Sequence, residues 1–174
     1  MDAESRRRFH HLQSLIASNP LNHGGRHDGE HDDTEAFLKA YEQSPSIYVP
    51  PGTFVIDNLS LDGAYVWGPG TLKWKSATTA AHMLAITGTC TFDGITFDGN
   101  ASNQTSNTAV GIEMTAAPRT AFRNCRFTNF RYKVIRSDVA NSPSCTFDCC
   151  WFYDTGVRSG CDVIMERSPR WRYS

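Results

Sequence analysis

The sequence lacks several features that would assign it to a class at once. No stretch approaches the roughly 18 consecutive apolar residues of a membrane span. It has no basic surplus. Its 17 Lys and Arg stand against 18 Asp and Glu, for a net charge of −1 and a pI near 6.6. A protein that lives on nucleic acid usually carries excess positive charge, so no nucleic-acid partner is expected. The glycines at 24, 25, 29 and 68 form no dinucleotide fingerprint, and no phosphate-binding Gly-Lys-Ser/Thr occurs. The six cysteines lie at 90, 125, 145, 149, 150 and 161, with no CxxC zinc spacing. With Cys149 and Cys150 adjacent, they are read as reduced core residues. After Arg6, Arg7 and Arg8 the N-terminus is too short and polar for a secretory segment, so synthesis in the cytoplasm without a signal peptide is expected. The Asn-x-Ser/Thr triplets at Asn58, Asn100 and Asn103 are then chance matches.

What remains is 174 residues, 40% hydrophobic and 20% charged, enough for one core and unlike a disordered or collagenous chain. Residues 3–18 predict an amphipathic helix, with Phe9, Leu12, Leu15 and Ile16 on one stripe and Asn19-Pro20 as its stop. A Gly-, His- and Asp-rich loop follows to Asp32. Asp32-Asp33-Thr34-Glu35 supplies N-cap and first-turn chemistry for a second helix, which Ser44-Pro45 ends. Ile47-Tyr48-Val49 predicts a strand and Pro50-Pro51-Gly52 a turn.

Beyond Thr53 the pattern becomes short strands between turns, and it repeats. The segment from Cys90 to Gly99 recurs from Thr120 to Asn129 and again from Cys145 to Asp154. A weaker copy runs from Ile56 to Gly63. Between copies lie further apolar runs at Met83–Ile86, Gly111–Met114, Val134–Ile135 and Val163–Met165. Self-similarity at this period signals a solenoid. Phe92, Phe122 and Phe147 would form one inward ladder, and Phe97, Phe127 and Phe152 another. Ile95, Cys125 and Cys150 would share an inward register with Leu59. The first turn would hold Asn58, Gly94, Asn124 and Cys149, where Asn and Gly tolerate a left-handed bend and Cys149 breaks the preference. The competing reading is an antiparallel sandwich with accidental similarity.

Asp28–Phe37 followed by Ile47–Ile56, with Gly68-Pro69-Gly70-Thr71-Leu72 later, resembles the opening of pectate-lyase-like right-handed parallel β-helices. That group includes bacteriophage tailspikes and polysaccharide depolymerases. The resemblance covers about residues 24–165. It implies an all-β fold: a right-handed parallel β-helix of about four coils, with an N-terminal capping helix and a preceding short amphipathic helix. The expected organisation is 1–23 as N-terminal helix and linker, 24–53 as capping helix and first strand, 54–166 as coils and 167–174 as a basic C-terminal tail. Family members usually have more coils, so the chain is read as the N-terminal part of a larger protein or a truncated relative.

The resemblance implies a tailspike-like receptor-binding protein of a phage virion, acting on bacterial cell-surface polysaccharide. The parent protein would be a glycosidase or lyase. A homotrimer and contacts with other virion tail proteins are implied, with no cofactor, metal or membrane insertion. The alternatives are a non-enzymatic attachment segment and a bacterial carbohydrate-active enzyme. Glycoside hydrolysis needs two carboxyls. Asp93 and Asp148 fall in one register two coils apart with Arg123 between them, which also suits a base and a uronate-neutralising cation. The bland reading is turn residues. Glu113, Asp138, Asp162 and Glu166 are weaker candidates. An outward register of Ser60, Thr96, Arg126 and Trp151 makes Trp151 and Arg126 candidate sugar contacts, a subunit interface or plain surface. His27 and His31 have i, i+4 spacing that could mimic a metal site, but a solvated loop suits them better.

Overall fold

The computed structural model describes residues 17–105, 108–115, 119–137, 144–153 and 171–173. The chain runs through β1 (Asp28–Asp32), α1 (Thr34–Gln43), β2 (Ser46–Tyr48), β3 (Thr53–Ile56), β4 (Leu59–Leu61), β5 (Tyr65–Trp67), β6 (Thr71–Trp74), β7 (His82–Ile86), β8 (Thr91–Asp93) and β9 (Thr96–Asp98). It continues through β10 (Val110–Met114), β11 (Arg119–Arg123), β12 (Arg126–Thr128), β13 (Lys133–Ser137), β14 (Ser144–Asp148), β15 (Trp151–Tyr153) and β16 (Trp171–Tyr173). The strands form three parallel sheets. Sheet A is ordered β16-β14-β11-β8-β5-β2, sheet B β1-β3-β6-β9-β12-β15 and sheet C β13-β10-β7-β4. From β2 to β15 the chain visits A, B and C in turn, so each complete circuit contributes three strands rather than the minimum of two read from the repeat. This is a parallel β-helix.

In-register stacking places like residues over like. Phe92, Phe122 and Phe147 stack with ring centroids 5.1 and 5.3 Å apart and planes 11° and 8° from parallel. Phe97, Phe127 and Phe152 stack at 5.1 and 4.6 Å. The two ladders meet edge to face, the offset geometry that aromatic quadrupoles favour. Cys90, Cys125 and Cys145 are buried free thiols, as expected. Cys149 is exposed and Cys150 half-buried, so the adjacent pair is not wholly core. Cys149 takes the left-handed turn at φ 50°, and a residue bent outward there cannot also face the core. Cys161 lies outside the described residues.

The weak fourth copy aligns differently from its expected register. Asn58 bends the chain at φ 50° between β3 and β4, from sheet B into sheet C. Leu59 and Ser60 pair with Leu84 and Ala85, not with the Ile95 or Thr96 rows. Leu-Ser-Leu alternation suits a strand in any sheet, so it cannot say which corner precedes it. In the first two coils the A-to-B corner is instead made by Val49–Gly52 and Gly68–Gly70. Gly68 has φ 129°, and a Cβ there would lie 2.2 Å from the Val49 carbonyl oxygen. The close approach of these coils therefore requires glycine.

The N-terminal end holds three arrangements that the sequence pattern does not predict. The predicted first helix lies outside the described residues except at its end, where Ser18 forms an isolated parallel bridge to Ile47. Its backbone accepts from Tyr48 N–H and donates to the Ser46 carbonyl, closing the free edge of sheet A. The Gly- and His-rich loop contains β1, which pairs with β3 and closes the edge of sheet B. His31 lies in that strand while His27 is left-handed at φ 48°, so they do not share a helical face. The Asp pair also divides its work. Asp32 accepts from Thr34 N–H and Oγ1, whereas buried Asp33 accepts from Arg26 and Val55 N–H. On α1, Phe37 is fully buried edge-on against Phe54 at 5.4 Å, and the Tyr41 hydroxyl meets the Asp62 backbone. At the other end, residues 171–173 of the expected tail pair with β14 in sheet A.

Two outcomes test this packing. Phe122→Ala should lower unfolding stability in urea by roughly 3–5 kcal/mol, because the ring fills space against coils on both sides. Phe37→Asp should place a charge against Phe54 and cause aggregation and a lower melting temperature. An unchanged melting curve would mean that α1 does not shield the first coil.

Candidate carbohydrate-binding surface

The three sheets present very different outer faces. On sheet C, alternation sets Met83, Gly111 and Val134 opposite the inward Leu84, Ile112 and Ile135, yet all six are buried. A Cβ at Gly111 would lie 2.1 Å from the Phe130 ring, so packed side chains cover the middle of this outer face, while Ser60 at its N-terminal end is exposed. Glu113 is buried there too. Its carboxylate accepts from Arg136 in the next coil, with Nε at 3.1 and 2.8 Å from its two oxygens and Nη2 at 2.7 Å. That bidentate pairing gives Glu113 a structural task. Asp138, Asp162 and Glu166 lie outside the described residues.

Sheet B keeps an open face. One outward row runs Thr53, Thr71, Thr96, Arg126, Trp151, and the next contains Lys73, Asp98, Thr128 and Tyr153. Trp151 is 54% and Tyr153 74% exposed. The Arg126 guanidinium lies 5.7 Å from the Trp151 ring centroid, a cation–π contact between adjacent coils. Around them is a recess of about 500 Å³, to which Thr96 and Thr128 add hydroxyls. A second recess of about 420 Å³ lies along the same sheet, between Lys73, Asp98, Asn100 and Arg131. The expected outward row thus contains Thr96, Arg126 and Trp151 but not Ser60, which belongs to sheet C.

The Asp93, Arg123 and Asp148 trio occupies sheet A. Asp93 pairs in register with Arg123 and Arg123 with Asp148, so the three form one solvent-facing row. Two coil steps separate the carboxylates by about 9.6 Å at the backbone. Asp93 Oδ1 accepts from Asn124 Nδ2 at 3.0 Å. The same row begins with Tyr48 and Trp67. Tyr65, two residues before Trp67, completes an aromatic cluster that the repeat did not reveal. Burial, and then the Asp93 charge, push the Tyr65 hydroxyl up from its ordinary value, with Arg123 opposing them.

Short turns at Gly94-Ile95, Asn124-Cys125 and Cys149-Cys150 separate these two open faces. The Cys125 thiol is hydrogen-bonded to the Cys150 sulfur and buried, and both effects hold it protonated. The same interaction is the main cause lowering Cys150 below the ordinary thiol value. Exposed Cys149 is pushed up by its hydrogen bond with Asp148 and by that residue's charge.

No family model matches the chain, and no curated protein matches it. Among solved structures it is similar to the A-module of the Azotobacter vinelandii mannuronan C-5 epimerase AlgE6. That match has 16% identity and a TM-score of 0.64 over 76% of this chain and 43% of the other. It is also similar to ORF18 of Geobacillus virus E2, at 15% identity and a TM-score of 0.51 over 94% of this chain and 42% of the other. The chain therefore spans about two-fifths of either solved chain. The likeness is one of fold.

The cysteine arrangement predicts a graded reactivity. Iodoacetamide should alkylate Cys150 with a pH midpoint below that of an ordinary thiol. Because the Cys125 hydrogen bond favours the thiolate, Cys125→Ala should raise that midpoint toward the ordinary thiol value of 9.0. Mass spectrometry of the alkylated peptides would read both, and a midpoint unmoved by the substitution would show that Cys125 is not its cause.

Proposed function

We propose that this chain is a polysaccharide-engaging segment of a phage tailspike-like protein, with sheet B as its binding face. The observation that carries the reading is the exposed Trp151 beside Arg126, in a row lined by threonine hydroxyls. An indole face stacks on the apolar C–H face of a pyranose while a guanidinium donates to hydroxyl or carboxylate oxygens. The Lys73 and Asp98 row beside it extends the polar contacts across further coils. Fold likeness to a module of an epimerase named for mannuronan, a polysaccharide, and to a phage protein supports this choice of partner and a place in the virion. Among the described residues no helix is long and apolar enough to cross a membrane. The tailspike resemblance extends the proposal to a homotrimer bound to other tail proteins.

A second reading adds chemistry on sheet A. The Asp93–Arg123–Asp148 row supports it, since two carboxylates about 9.6 Å apart at the backbone can bring their oxygens within the ~6.5–9.5 Å range of inverting glycosidases. In that reading one carboxyl protonates the leaving oxygen, the other activates water and Arg123 holds an anionic group of the substrate.

Binding of the chain to an array of bacterial surface polysaccharides, with mannuronan included, tests the first reading. Trp151→Ala should weaken the best interaction by about tenfold or more and leave light scattering unchanged. Weakened assembly with unchanged binding would make Trp151 a subunit contact and remove sheet B as the sugar face. For the second reading, Asp93→Asn and Asp148→Asn should each abolish the release of reducing ends while retaining polysaccharide binding on sheet B. Release at the wild-type rate would exclude the row from catalysis.

A further inference from the structure

The outer face of sheet A holds a recess of about 440 Å³ bounded by Tyr48, Tyr65, Trp67, Asp93 and Asn124. We propose that it is a subsite for one uncharged pyranose ring, stacked on Tyr65 and Tyr48 and hydrogen-bonded by Asp93, Asn124 and Arg123. The inference rests on the polysaccharide reading above but uses none of the sheet B residues.

The recess combines an aromatic wall with polar groups that still have bonding capacity. Trp67 is only 6% exposed and backs both tyrosines. Its ring centroid lies 4.6 Å from Tyr48 and 6.5 Å from Tyr65, the latter pair being 18° from parallel. Both tyrosines are half-buried, so each is braced on one side and open on another. Rigid aromatic surface of this kind binds a flat C–H face with little conformational entropy to lose.

One coil further on, Asn124 Nδ2 fixes Asp93 through Oδ1. Among the described residues the pair keeps the other carboxylate oxygen, the second amide hydrogen and the amide oxygen free of side-chain partners. A carboxylate beside an amide can accept from and donate to adjacent sugar hydroxyls at once. Arg123, exposed and in register with Asp93, makes no ion pair among the described residues and can donate to a ring substituent from the next coil.

This chemistry discriminates among ligands. An apolar ligand would cover Asp93 and Asn124 without satisfying them. A phosphate-bearing ligand would meet the Asp93 charge at the aromatic wall. An uncharged pyranose satisfies both halves of the recess. Its occupant would lie at one end of the Asp93–Arg123–Asp148 row, so a glycan running along the coils would pass over all three.

Saturation-transfer NMR of the whole chain with millimolar D-glucose, D-galactose, D-mannose and N-acetylglucosamine tests the subsite. At least one sugar should receive saturation from aromatic protons. Tyr65→Ala should weaken that interaction by about tenfold, both in the otherwise unaltered chain and in a Trp151→Ala background where sheet B no longer stacks a sugar. If Tyr65→Ala fails to fold, near-isosteric Asp93→Asn replaces it and should weaken the same sugar several-fold. Absence of transfer from all four sugars would overturn the inference, as would unchanged binding in the folded variant. Binding lost in Trp151→Ala but kept in Tyr65→Ala would move the sugar to sheet B, overturning the subsite and leaving the polysaccharide reading intact. Saccharide binding at the recess without polysaccharide binding at sheet B would do the reverse.

Discussion

Everything in this molecule follows from one constraint, the parallel in-register stacking of coils about 4.8 Å apart. A side chain pointing inward must rest on its equivalent in the coils above and below. A phenylalanine at one level therefore favours a phenylalanine at the next, and the two ladders from Phe92 and Phe97 are the result. The same spacing demands sharp corners, where Gly94, Asn124 and even Cys149 take the left-handed conformation. It also leaves the first coil with unpaired edges, which Ser18 and β1 close with backbone hydrogen bonds.

Stacking governs the surface as strictly as the core. Like charges in one outward row would face each other across a single strand spacing, which destabilises a sheet. The charged rows alternate instead. Lys73 lies beside Asp98, Glu113 beside Arg136, and Arg123 between Asp93 and Asp148. Charge alternation alone therefore places an arginine between two aspartates, whether or not the row performs chemistry. Aromatic surface is a different matter, because burial in a neighbouring subunit or contact with a ligand is what repays exposing a ring such as Trp151. Exposed aromatic residues therefore point to sugar binding, whereas only loss of reducing-end release in the aspartate variants separates catalysis from charge alternation.

The later coils were legible in the sequence because their A-to-B corners all have two residues. Equal spacing keeps the apolar, turn and outward positions aligned, so the sequence alone superposes Phe92, Phe122 and Phe147, and with them Arg126 and Trp151. The first coils use Pro-Pro-Gly and Gly-Pro-Gly corners of other lengths, and that alignment failed. The repeat pattern therefore sets Asn58 and Leu59 one corner too early, and it does not bring Tyr48, Tyr65 and Trp67 together. The backbone pairing of β1 was hidden for another reason. Its sequence, Asp-Gly-Glu-His-Asp, has no apolar alternation, and its pairing comes from the free edge of β3. The ion pair of Glu113 depends on register across 23 residues, which residue type alone does not reveal.

The central claim is that the open faces of sheets A and B, with their aligned aromatic and polar rows, carry the glycan while the covered face of sheet C does not. A high-resolution structure of the chain with an oligosaccharide cut from a polysaccharide it binds tests this most directly. The account predicts sugar rings over Trp151 and Arg126 on sheet B, or over Tyr65 and Asp93 on sheet A. A glycan seated across Glu113 and Arg136 on sheet C, with both open faces empty, would contradict it.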